Sequence, residues 1–147
     1  MSRELNDFLG LRGDMEVTVL NKNGTKEHRK IKNLIVTAGK NWEATYLGDS
    51  PGANMGWIEV GTGTTAADAA DTTLETAVDR NSCNRVVASN VITYSGLFTA
   101  GEATGAITEF GLFNASSAGT MFSRVVQSVI NVAADDSLQV IWNQTKG

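Results

Sequence analysis

The sequence predicts a mainly β protein, an antiparallel β-sandwich or jelly roll with one short α-helix at about 38–47 and an extended N-terminal arm. Three observations lead to this fold class. The chain has 15 Gly but one Pro, with many Thr, Val, Asn and Ser, which suits short strands joined by tight turns. From Arg85 onward, short apolar stretches alternate regularly with turn residues. Thr37 to Gly48 is the one clear helix candidate in the domain, because Ile35, Ala38, Trp42 and Tyr46 fall near one helical face.

The N-terminal residues 1–14 are predicted to form the arm, and 15–147 a single sandwich domain. Within the arm, Leu5, Phe8 and Leu9 fall at helical spacings of three and four. Three apolar side chains on so short a segment do not hold it folded alone, so they need a partner surface. That surface is either the body of the same chain or a neighbouring subunit.

The first two strands are predicted to form a hairpin. Met15 to Leu20 alternates apolar and polar residues, and Asn23-Gly24 is a strong signal for a two-residue turn. The return strand, Thr25 to Lys32, is nearly all polar. The pairing that this turn sets places Val17 opposite Lys30, so apolar residues share a face with cations. We therefore expect the return strand to be an exposed edge protected by its charges, or a surface that meets a partner.

The helix is predicted at Thr37 to Gly48, where Thr37 can cap the start and Gly48 can end the last turn. It is expected to cover one end of a sheet. Residues 66–78 are small and polar, and predict a surface loop or one helical turn. The remaining strands are predicted at Trp57–Val60, Arg85–Ala88, Val91–Phe98, Ile107–Phe113, Thr120–Val126 and Ser137–Asn143.

Charge is distributed unevenly along the chain. Residues 1–42 hold eight Lys/Arg against five Asp/Glu, whereas residues 43–147 hold four against eleven. Five of the basic residues lie between Lys22 and Lys32. This pattern favours head-to-body contact between copies, or docking of the basic front on an acidic surface. Nucleic-acid binding is disfavoured, because the basic stretch has no aromatic side chain for stacking and the rest of the chain is acidic.

Chemically reactive residues are scarce. With His28 as the one histidine and Cys83 as the one cysteine, neither supports the other in a nucleophilic pair, and a Cys/His zinc site cannot be filled. Gly61 to Thr65 superficially resembles a phosphate loop but lacks the Gly-Lys-Ser/Thr ending. Glu102 and Glu109 are the pair that a sugar-cleaving enzyme would use. The sequence predicts no catalytic, cofactor-binding or metal-ligating residue and no small-molecule substrate, and it has no membrane-spanning segment.

Several motifs occur in a recognisable order. They are Asn33-Leu-Ile-Val-Thr-Ala-Gly-Lys-Asn, Ile58-Glu-Val-Gly-Thr-Gly-Thr-Thr-Ala, Asp71-Thr-Thr-Leu-Glu-Thr-Ala-Val, Val91-Ile-Thr-Tyr-Ser, Gly101-Glu-Ala-Thr-Gly, Ile107-Thr-Glu-Phe-Gly-Leu-Phe-Asn, Gly119-Thr-Met-Phe-Ser-Arg and Ser137-Leu-Gln-Val-Ile-Trp. Together, over residues 33–143, they resemble a family of small structural proteins of tailed bacteriophages. The resemblance implies a β-rich virion component used in many copies, with no catalytic residues to carry over.

Two positions in the particle follow from this resemblance. One is the capsid surface, as a decoration (cement) protein, expected to be a homotrimer bound to the major capsid protein. The other is the tail, as a fibre, tip or baseplate component that attaches to the host. Either implies a virion protein assembled in the bacterial cytoplasm. The residues expected to contact other subunits or the capsid are Leu5, Phe8, Leu9, Lys26, Arg29 and Lys30.

Overall fold

A computed structural model describes residues 11–48 and 53–146 and confirms a β-sandwich of two antiparallel sheets with one short helix. The helix, α1, spans Thr37–Gly48, as predicted. The strands in this part of the chain are β1 (Leu11–Asn21), β2 (Gly24–Lys32), β3 (Leu34–Ile35), β4 (Trp57–Gly61), β5 (Ala77–Ser82), β6 (Asn84–Ala88), β7 (Val91–Phe98), β8 (Gly105–Phe113), β9 (Met121–Val132) and β10 (Ser137–Lys146).

The first sheet has the strand order β2-β1-β10-β7-β6, and the second has the order β3-β9-β8-β4-β5. At each side of the sandwich the chain passes directly from an edge strand of one sheet to an edge strand of the other. On one side β2 continues into β3 through Asn33, and on the other β5 continues into β6 through Cys83. These short connections tie the two sheets together along both sides.

The main core lies between the two sheets, where their inner faces pack on each other. Its largest fully buried side chains include Trp142 from the first sheet and Phe110 from the second. A smaller cluster lies on the opposite face of the second sheet, formed by Val36, Leu74, Phe113 and Met121. The second sheet is therefore covered on both faces, which explains why seven consecutive residues of β8 are buried.

The first hairpin differs from its predicted register. Asn21 pairs with Gly24, so the turn consists of Lys22 and Asn23, and Gly24 follows it at a φ of 114°. An irregularity between Val19 and Leu20 then shifts the pairing, so that Val17 lies opposite Arg29 and not Lys30. The predicted conflict between apolar residues and cations is only partly relieved. β2 turns Glu27, Arg29 and Ile31 inward and leaves its lysines outside, and the inward cation Arg29 is paired with Glu27.

Two strands were not predicted. β3 is a two-residue pairing with β9, and β5 pairs with β4 where the sequence suggested the end of a surface loop. The region 62–76 before it is a loop, as one of the two alternatives predicted. The Asp135-Asp136 turn does not close a hairpin, because β9 and β10 belong to different sheets.

The predicted boundary of the arm at residue 14 is wrong. Leu11 to Asp14 already belong to β1, where they pair with Asn143 to Lys146 of β10. Leu5, Phe8 and Leu9 lie outside the described residues, so the contacts expected of them stay a prediction.

Helix α1 packs on the start of β9 and so covers one end of the second sheet, the position expected from the sequence. The Trp42 ring meets the Phe122 ring edge-on at a centroid distance of 5.8 Å. Gly39 is buried, and a Cβ at this position would lie 2.3 Å from the carbonyl oxygen of Phe122. The absence of a side chain at Gly39 thus permits the helix to approach the strand closely.

Replacing Gly39 by Ala is expected to lower the free energy of unfolding by about 1–3 kcal/mol, because the added methyl group displaces α1 from β9. Gly48→Ala is the matched control, since a Cβ there meets no atom within 4 Å among the residues that the structure describes. Urea denaturation of both variants measures the effect as a lower midpoint at an unchanged slope. Equal midpoints for the two variants would contradict close packing of the helix on the strand.

Candidate functional site

The most unusual residue of the fold is Glu109, a carboxylate with 0% exposure in the middle of strand β8. A register shift around Thr108 places it on the face of the second sheet that the loop 62–76 covers. Its carboxylate accepts hydrogen bonds from the backbone N–H groups of Gly63 (2.6 Å), Glu75 (2.8 Å) and Thr76 (2.9 Å). Glu109 therefore fastens both ends of this loop to the sheet.

Arg124, on the neighbouring strand β9, supplies the opposite charge. Its guanidinium is 3% exposed and lies 3.2 Å from Glu109 and 2.7 Å from Asp71 of the covering loop. Burial raises the pKa of Asp71, but hydrogen bonds from the Asp68 backbone N–H and from Arg124 outweigh it, so this pKa is lowered overall. The result is a largely buried network of two carboxylates, one guanidinium and four backbone amides, in which each charge has a partner.

The hydrogen-bond donors of the Gly61 to Thr65 segment bind carboxylates of the same chain. Besides the bond from Gly63 to Glu109, the N–H of Thr64 donates to Glu75 at 3.0 Å, and the Thr65 hydroxyl donates to the same carboxylate. These bonds, that from the Thr65 hydroxyl foremost, hold the pKa of Glu75 below its usual value. The loop has the form of an anion-binding loop, but its donors bind internal anions and are not directed at a phosphate.

A second arginine fixes the β8–β9 turn. The guanidinium of Arg80 lies 2.9 Å from Glu59 and 3.8 Å above the ring of Phe113. It also donates to the carbonyl oxygens of Ala115 and Ala118 at 2.8 and 2.9 Å. The turn that joins the two strands is thus held by a cation from β5.

The candidate catalytic residues do not assemble into a site. Glu102 accepts hydrogen bonds from Thr99 and Asn81 at the surface, and the Thr99 N–H foremost lowers its pKa, whereas a general acid needs a raised one. Both oxygens of Glu109 are engaged internally. His28 lies on the outer surface of β2, and burial raises the pKa of Cys83 to about 11, which suits a packing role.

The described residues contain no cluster of three or more His, Cys, Asp or Glu side chains placed to hold a metal ion. Within 11–48 and 53–146, no helix combines the length and apolarity needed to cross a membrane.

Of the three basic residues expected to contact a partner, the structure engages two internally. Lys26 forms an ion pair of 2.8 Å with Asp136, whose side chain is 3% exposed. Arg29 pairs with Glu27 and donates to the carbonyl oxygens of Ser128 and Val129 at 2.7 and 2.8 Å, so it links β2 to β9 of the other sheet. Lys30 is exposed on the outer surface of β2, where it remains available to a partner.

A groove of about 530 Å³ opens at the end of the sandwich beside α1; we call it the helix groove. Sequence reasoning missed it, since it combines a helix face with sheet ends distant in the chain. One wall is the helix and the floor comes from both sheets. Its main apolar lining residues are Leu11, Trp42, Leu47, Met55, Val87, Ile92, Tyr94 and Phe122. Glu43, Arg85 and Lys146 add charges to the lining, and Lys146 pairs with Glu43 at 2.7 Å.

Comparisons with protein-family models, with curated proteins and with solved structures each find no match for this chain.

Replacing Glu109 by Gln is expected to destabilise the fold by about 3 kcal/mol, because the buried Arg124 guanidinium loses one of its two anions and the amide has no place among the donors. Glu102→Gln makes the same carboxylate-to-amide change at the surface and is the control. It should change the free energy of unfolding far less. Chemical denaturation of both variants measures the difference. Equal losses would show that the Glu109 network does not hold the covering loop.

Acid sensitivity is expected to depend on the Lys26–Asp136 pair. The hydrogen bond from Lys26, followed by that from the Ala133 N–H, lowers the pKa of Asp136 below its ordinary value of 3.8. The folded state therefore binds fewer protons than the unfolded state, and this stability is present above the unfolded pKa and lost as pH falls through the folded pKa.

The test measures the free energy of unfolding against pH between about pH 5 and pH 2. In Lys26→Met the folded pKa of Asp136 returns toward its ordinary value, so stability should fall less steeply with acid than in the parent. Lys40→Met removes an exposed cation from α1 and should keep the parent slope. Identical slopes for the parent and Lys26→Met would refute the assignment.

Proposed function

We propose that this chain is a non-enzymatic structural protein of a tailed-bacteriophage virion. Its role is that of a capsid decoration (cement) protein, which binds the outer capsid lattice as an oligomer and stabilises it. The observation that carries the proposal concerns the sequence motifs that resemble phage structural proteins, because their polar residues form contacts inside the fold. Glu109, Arg124, Asp71, Glu75 and Gly63 meet in one internal network, which braces a sheet and engages these groups with one another.

A brace of this kind suits a protein that must keep its shape under load. The network joins β8, β9 and the covering loop, and Arg80 fixes the adjoining turn. Networks of buried, fully paired charges restrict alternative packings of a sheet. The architecture is compatible with a jelly roll, and the proposed assembly is a homotrimer of such sandwiches.

The proposed partner is the major capsid protein, met through the outer surface of β2. This strand is one of the two edges of the first sheet among the described residues, and it carries Lys30 and Lys32 on its exposed face. Complementary charge accelerates docking on an acidic surface and makes it sensitive to salt. Lys26 and Arg29 contribute indirectly, since they hold β2 in place.

A tail role is the competing assignment. A host-binding tip would present exposed aromatic side chains, and Trp57 is a candidate because it follows the glycine-containing stretch Gly52 to Gly56. In the structure Trp57 is half-buried and packs against the cluster around Phe113. This position does not favour a host-binding tip. The experiment that follows distinguishes a tail location from a capsid location.

The experiment is to mix the purified protein with capsids that lack it and to image them by electron microscopy. Regular density at lattice points of the capsid is the expected result, and its symmetry gives the oligomeric state. Bare capsids, with density on the tails of whole virions, would overturn the decoration role.

Lys30→Glu is expected to weaken capsid binding by roughly tenfold at low salt and to reduce the salt dependence of binding, because it reverses a charge of the docking surface. The stability of the fold should not change, since Lys30 makes no ion pair within the described residues. Lys40→Glu makes the same charge change on α1 and should bind nearly as the parent does. Cosedimentation with capsids at several salt concentrations measures both. Unchanged binding by Lys30→Glu would remove the outer surface of β2 from the interface.

A further inference from the structure

The helix groove exposes apolar surface that a folded chain normally covers. Leu47 of α1 and Val87 of β6 both line the groove and are 71% and 66% exposed, and Tyr46, also in the lining, is 36% exposed. An exposed apolar concavity of this size indicates a surface made to receive another segment.

Chain outside the described residues borders the groove at two points. Residues 49–52 lie between Leu47 and Asn54, which both line it, but they read Asp-Ser-Pro-Gly and offer the Pro51 ring as their one apolar side chain. Residues 1–10 join directly to Leu11, which is itself part of the lining. This second segment carries Leu5, Phe8 and Leu9, apolar side chains suited to cover the exposed apolar surface of the groove.

A polar group in the groove wall gives a second, independent indication. Gln144 is 4% exposed and lines the groove, and within 11–48 and 53–146 no group donates to its side-chain oxygen or accepts from its side-chain nitrogen. A buried amide without partners is costly. A peptide segment laid along the groove supplies both a carbonyl oxygen and an N–H, which are the two partners that one Gln side chain requires.

We propose that residues 1–10 fold back onto the helix groove of their own chain, with Leu5, Phe8 and Leu9 as the apolar anchors and Gln144 bonded to the backbone between them. Gly10 gives the chain the freedom to reverse immediately before Leu11. Attachment at the groove makes the segment's effective concentration high, which favours the same chain over a neighbour. This assigns the three side chains an intramolecular role in place of the expected intersubunit one, and it does not depend on the virion function.

The first test is nuclear magnetic resonance on the full chain. Contacts of the Phe8 ring with methyl groups of Leu47 and Val87 are expected in uniformly labelled protein. They should vanish in an isotope-filtered spectrum of mixed labelled and unlabelled chains, which reports contacts between chains only. Contacts that persist in the filtered spectrum would place the segment in a neighbour's groove, and no contacts in either spectrum would leave the groove to an external partner. Either result would overturn the proposal.

A double-mutant cycle gives the second test, with a control on the same strand. Val87 lines the groove, whereas the equally exposed Val86 turns to the opposite face of β6. Phe8→Ala combined with Val87→Ala should show coupling of at least about twofold in the unfolding equilibrium constant, independent of protein concentration. Phe8→Ala combined with Val86→Ala should be additive. Additivity in both pairs contradicts the proposal.

Gln144→Met separates an occupied groove from an empty one by the sign of its effect. If the amide bonds the N-terminal backbone, the substitution lowers the stability of the full chain. If the amide has no partner, replacing it by an apolar side chain of similar length raises stability. A stabilising substitution would therefore sink the proposed bond between Gln144 and residues 1–10.

Discussion

The fold depends on a carboxylate that the chain cannot leave unpaired. Glu109 lies in the middle of a buried strand, where an unpaired negative charge would cost several kcal/mol, a large part of a domain's net stability. The protein meets this constraint with Arg124 and with three backbone N–H groups of the loop 62–76. Because the donors belong to that loop, satisfying the charge also fixes the loop as a lid over the outer face of the second sheet.

This constraint explains why the Gly-Thr-Gly segment has its composition. The N–H of Gly63 reaches the carboxylate at 2.6 Å, and a Cβ at Gly63 would lie 2.1 Å from the same oxygen. A glycine-rich loop at a strand end suggests phosphate binding when seen in isolation. Here the identical backbone geometry serves an internal anion, so the feature that looks most functional in the sequence is a structural joint.

The interior and the surface of the molecule consequently have different roles. Two arginines of the second sheet, Arg80 and Arg124, form ion pairs within the sheet and give rigidity, as do the bonds by which Arg29 links the two sheets. The exposed features of the described residues are the outer surface of β2, with Lys30, and the apolar helix groove. A rigid body with a charged docking surface is what the proposed role in a repeating lattice requires, and the apolar groove is the surface to which we propose that residues 1–10 of the same chain bind.

Local signals in the sequence determined the sandwich class, the helix and most strands, since alternation and turn residues are properties of neighbouring positions. These local signals failed where the pairing between strands distant in the sequence decides the structure. Ala77–Ser82 has no alternation of its own and becomes a strand because β4 offers it an edge. The hairpin register shifted because the irregularity at Val19 was not visible locally. Glu109 stands out in an apolar strand, but its loop partners lie 33 to 46 residues away, so only the tertiary structure brings them together.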